Sequence, residues 1–129
     1  TEQETAECRS TVQALKNAGW RFASYGYDYV SYGSELSLVK EDAERWENSV
    51  EPLLGETDIL IYPWRTDLGS WSAYGTDNEK YEYLRSLGFQ YFFIADDGAG
   101  FLQVGEDYVH QGVREIGGYG EYQEFMAGA

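Results

Sequence analysis

Disulfides are excluded within this chain, because Cys8 is its only cysteine. That permits the cytosol and equally an extracellular setting that does not demand disulfides. Histidine is as scarce, with His110 alone, and proline occurs twice. A zinc site needs three or four His, Cys or carboxylate ligands, so one built wholly within these residues is disfavoured. Basic residues are few: nine Lys and Arg face 23 Asp and Glu, for a formal charge of −14. Nucleic acid and anionic membranes need basic patches, so the balance argues against both as partners. No apolar run reaches the length of a membrane span, and no leader pattern is present. The opening "TEQETAE" reads as a boundary inside a longer protein.

What is abundant is aromatic and small. Twelve Tyr, six Phe and four Trp make 17% of the 129 residues, and fifteen glycines supply tight turns. This composition is globular and too apolar for disorder, and the length fits a single domain, 1–129. The acidity serves solubility, or else contact with neutral or cationic polymers.

Apolar spacing predicts helices over residues 7–17, 36–54 and 76–87. In the first, Cys8, Val12 and Leu15 share one face. In the second, Val39, Ala43, Trp46, Val50 and Leu53 form a stripe, capped by Ser34 or Ser37. In the third, Thr76 and Glu79 have capping-box spacing. Short apolar runs predict strands at 20–24, 57–64 and 89–95, then two more in "FLQV" and "DYVHQGVREI". The tail, 118–129, is glycine-rich and expected to fray. Strands alternating with helices imply an α/β fold with a parallel sheet. The few strands leave edges exposed, so self-association is expected.

In parallel α/β sheets the loops after the strands share one rim, where ligands bind. Tyr25, Tyr27, Tyr29, Trp64, Trp71 and Tyr74 fall in such loops. Their rings either stack on the apolar faces of sugars or fold back over the sheet, and the sequence leaves both open. His110 reads as structural, and Cys8 as packing rather than as the nucleophile of a Cys–His pair. "DDGAG", residues 96–100, reads as a turn, with an acidic metal or base site as the alternative. Asp28, Asp58 and Asp67 also lie near strand ends, but spacing alone shows no converging pair.

"FASYGYDYVSYG", "KEDAERWENSV", "GETDILIYPW" and "YEYLRSLGFQYFF", in that order, resemble the C-terminal two thirds of the polysaccharide deacetylases, carbohydrate esterases of family four. "DYVHQGVREIGGY" is similar to that family's last strand, and the likeness covers about residues 7 to 122. The resemblance implies part of a distorted (β/α) barrel. It also implies a divalent metal, zinc or cobalt, held by one Asp and two His to activate water against an acetyl group. Here the chain departs from the family. The two metal histidines fall on Tyr25 and Tyr29, and a motif glycine falls on Arg65. The family's first motif, T-F-D-D-G, is absent; "IADDG" at 94–98 imitates it out of chain order. The late catalytic histidine has no secure match beyond His110 nearby.

Neutral phenols are poor zinc ligands, since their reference pKa is about 10. The expectation is therefore a catalytically degenerate deacetylase-like domain with no cofactor of its own. By resemblance it binds acetylated cell-wall or peptidoglycan-like glycan outside the cell, through Tyr25, Tyr29, Trp64, Arg65 and Trp71. The alternatives are an active deacetylase completed by residues or a partner outside this chain, and a protein-interaction module. No catalytic residue is assigned.

Overall fold

The computed structural model describes residues 1–96, 100–114 and 117–128. The fold is α/β. Four strands, β1 (Ile59–Ile61), β2 (Tyr91–Ala95), β3 (Leu102–Val104) and β4 (Val109–Val113), form one open sheet in the order β1-β2-β4-β3. β1, β2 and β4 run parallel, as the alternation of helices and strands implies. β3 is the correction: it pairs antiparallel with β4. Only a tight turn separates the two strands, and a parallel pair needs a crossover of a dozen or more residues. In that turn the Gly105 amide donates to Tyr108 O at 2.9 Å. The Tyr108 ring lies so close that a Cβ on Gly105 would sit 2.1 Å from it.

Helix α1 (Glu2–Asn17) begins earlier than its apolar pattern, because the Thr1 hydroxyl accepts from the Glu4 amide at 3.1 Å. Of its expected stripe only Val12 is buried; Cys8 is half-buried and Leu15 is exposed. The reason is the neighbour: among the described elements α1 packs only against the four-residue α3 (Glu51–Leu54), which covers little. The predicted 36–54 helix is two. α2 (Leu36–Ser49) stops before Pro52, which lacks an amide proton and instead starts α3. Val39, Ala43 and Trp46 are buried as the stripe requires. Glu35, not Ser34 or Ser37, stands at the N-cap, without a side-chain bond.

Residues 20–24 make a single parallel bridge, Ser24 to Leu60, rather than a strand. Phe22 O is taken by the Thr57 hydroxyl at 2.6 Å, which draws it from a backbone ladder. β1 is shorter than 57–64 because Pro63 opens a 3₁₀ turn, Pro63–Arg65. Helix α4 (Glu79–Ser86) is capped by Asn78, whose Oδ1 accepts from the Tyr81 amide at 3.0 Å, and not by Thr76. α5 (Tyr119–Ala127) is helical where fraying was expected, though its described residues are all exposed. Among the described residues it packs against no other helix or strand, and Arg114 lies over its Phe125 ring at 5.3 Å.

The core lies between the sheet and helices α2 and α4, centred on Val39, Leu60, Tyr62, Leu84, Phe92 and Ile94. Phe93, one residue on from Phe92, points to the other face of the sheet and is half-buried. No helix of the described residues is long and apolar enough to cross a membrane.

Candidate functional site: an aromatic rim over two buried carboxylates

Ser24, β1 and β2 run parallel, so the segments that follow them emerge on one side of the sheet. Two buried carboxylates organise this rim. Asp42, on α2, accepts from the Asp28 amide at 2.7 Å, from the Tyr27 amide at 3.1 Å and from the Tyr32 hydroxyl at 3.1 Å. It thereby fastens the tyrosine loop to α2. The close approach explains Gly26: its φ is +76°, and a Cβ there would lie 2.8 Å from Asp42 Oδ2. Burial and the Asp42 carboxylate beside it push the Tyr32 phenol far above its ordinary pKa.

The loop held by Asp42 presents rings to solvent. Tyr25 and Tyr29 share a hydrogen bond of 2.7 Å between their hydroxyls, with ring centroids 5.0 Å apart. Tyr29 meets Trp64 at another 5.0 Å, and the Trp64 indole N–H donates to Tyr29 O at 2.6 Å. Trp64 is still 63% exposed, Tyr25 44% and Tyr29 39%. The structure thus brings together three of the five residues expected to bind ligand. Arg65 follows Trp64 on the same 3₁₀ turn and is exposed.

Trp71 is placed apart from this trio, over a second and buried constellation. Asp67 accepts from the Gly69 and Trp71 amides at 3.1 and 2.6 Å, and from the Tyr74 hydroxyl. Tyr74 also meets Tyr62 at 2.8 Å and His110 Nδ1 at 3.2 Å. Tyr74 has one hydroxyl proton, committed to Asp67, so its oxygen accepts from Tyr62 and from His110. The imidazole is then protonated on Nδ1. Its Nε2 lies 3.7 Å from Asp67 Oδ1 and has no hydrogen-bond partner among the described residues. Burial lowers the His110 pKa, the Asp67 charge opposes that, and neutral imidazole is the consistent state. Burial likewise raises Tyr62 and Tyr74, with further upward shifts from Tyr74 and Asp67 respectively.

His110 is fully enclosed. Trp71 and Tyr74 stack on its ring at 6.1 and 5.2 Å, and Phe101 and Tyr62 meet it edge-on at 4.8 and 5.7 Å. That burial is what a structural histidine, as read from the sequence, requires. Tyr74, grouped with the rim aromatics in sequence, is instead buried, and its amide donates to the Tyr108 hydroxyl oxygen at 2.9 Å. Asp42 and the anchoring role of Asp67 escaped the sequence reading. The available signal was an Asp on the apolar side of α2, one residue from the Ala43 of the stripe.

The donors at the rim do not suit a divalent ion. Tyr25 and Tyr29 are hydrogen-bonded to each other, and Asp28 pairs with Arg45 at 2.6 Å. No group of three His, Cys, Asp or Glu side chains among the described residues is placed to hold a metal. Of "DDGAG", residues 97–99 lie outside the described residues. No family model, curated protein or solved structure matches the chain.

Proposed function

We propose that the domain binds a cell-wall or extracellular glycan on the Tyr25–Tyr29–Trp64 platform and does not hydrolyse it. One observation carries this reading. Tyr29, Trp64, Arg65 and Trp71 have φ of 56°, 58°, 51° and 68°, in the left-handed region; Ser70 is the other non-glycine residue so placed among those described. Each such residue costs of order 1–3 kcal/mol, and such strain concentrates at ligand sites. Here it turns large rings outward instead of into the core. The three rings, 5.0 Å apart and turned 72° and 60° to their neighbours, offer apolar faces with phenol hydroxyls beside them, the two kinds of contact that a sugar makes with aromatic side chains.

Two features support the absence of hydrolysis. The positions that resemble deacetylase metal ligands hold mutually bonded phenols. His110, the one imidazole, is 0% exposed behind Trp71 and Phe101, out of a substrate's reach. Calorimetric titration with β-1,4-linked oligosaccharides tests the reading. Binding should weaken about tenfold in W64A, equivalent to about 1.4 kcal/mol, with no acetate released. Unchanged affinity in W64A would refute the platform, and acetate release would refute the loss of catalysis.

A further inference from the structure

Aromatic faces accept sugars of any charge, so the three rings alone do not choose among them. Their surroundings do. The rim segments and the helix beneath them carry Asp28, Asp42, Asp67 and Asp96. α2 adds Glu41, Glu44 and Glu47. Against these acids stand Arg65, beside Trp64, and on α2 Lys40 and Arg45, the latter's guanidinium shared by Asp28 at 2.6 Å and Glu41 at 3.0 Å. Lys80 is turned inward onto Tyr32 O and Ser34 O at 2.7 and 3.2 Å. The whole chain carries −14. Such a field repels polyanions and concentrates cations. The ring faces add to it, because an ammonium within about 6 Å of an aromatic centroid is attracted by the ring quadrupole.

We propose that the Tyr25–Tyr29–Trp64 platform prefers a cationic amino-sugar polymer, with its 2-amino groups free of acetyl, over the N-acetylated or anionic counterpart. This rests on the glycan-binding reading of the same rings. The resemblance to deacetylases implies acetylated glycan, and the charge of this rim moves the preference to the free amine. Sugar faces lie on the rings, and the ammonium groups meet the negative field around them.

The test is calorimetric titration of the whole chain, at mildly acidic pH and low salt, with glucosamine hexamer, N-acetylglucosamine hexamer and an oligogalacturonate. The glucosamine hexamer should bind about tenfold tighter than its acetylated form, and the uronate not at all. The advantage should shrink in about 0.5 M NaCl, where charges are screened within a few ångströms. W64A should weaken binding of both amino-sugar hexamers. Equal or tighter binding of the acetylated hexamer overturns the preference and leaves glycan binding intact. Glucosamine binding that W64A leaves unchanged shows attraction to the acidic surface at large, and overturns the platform's part in it. Binding of no sugar removes both readings.

Discussion

Asp42 is where the tyrosine loop is most exposed to a single change. Its carboxylate takes two backbone amides and the Tyr32 hydroxyl inside the fold. Asn in its place turns one acceptor into a donor that faces donors. D42N should therefore lose about 1–3 kcal/mol in urea unfolding and loosen Tyr25 and Tyr29. Wild-type stability in that variant would show that the loop is held by other contacts. His110 gives a pH signature. Its folded pKa is lowered, so folding resists its protonation, while the unfolded chain takes a proton near pH 6.5. Its contribution is complete above about 6.5 and is lost as the pH falls through the lowered folded value. H110Q should flatten the stability profile in that window. Nitrogen NMR of wild-type should find the proton on Nδ1; a proton on Nε2 would contradict the Tyr74 hydrogen-bond assignment.

Among the elements, the β3–β4 turn is the most sharply constrained. G105A would drive a methyl into the Tyr108 ring, whose hydroxyl supports the Tyr74 amide and Gln103. Overpacking of this kind costs about 1–3 kcal/mol, and thermal unfolding should register it. N78A, which removes the α4 cap, should cost about 1 kcal/mol by the same measurement. The elements also show what a sequence carries. The α2 stripe was legible because Val39, Ala43 and Trp46 repeat at helical spacing toward the core. The strands β1 and β2 were legible for a different reason, as short continuous apolar runs bounded by turn residues. Antiparallel β3 was not, since its pairing depends on one tight turn and not on any apolar period. Residues 20–24 look like a strand, yet the Thr57 hydroxyl takes the carbonyl of Phe22. The rim was half legible. Aromatic composition pointed to Tyr25, Tyr29 and Trp64, but no periodicity distinguishes them from Tyr74, which turned inward onto Asp67.

For the molecule as a whole, charge and apolar edge pull in opposite directions. Leu102 and Val104, on the edge strand β3, are 65% and 69% exposed, an invitation to pairing. A charge of −14 pushes copies apart. Sedimentation should find monomer at low salt and association as salt is added; salt-independent behaviour would assign the edge no such part. The same charge should make the fold more stable as ionic strength rises, since self-repulsion is screened.

In the proposed glycan binding, strained backbone holds Tyr29 and Trp64 outward as a preformed sugar platform. The most direct measurement is an NMR titration of the indole N–H resonances of Trp20, Trp46, Trp64 and Trp71 with an amino-sugar hexamer. The expected result is a shift centred on exposed Trp64, with buried Trp46 unmoved. A response centred on Trp20, at the other end of the sheet, or no response at any indole, would contradict it.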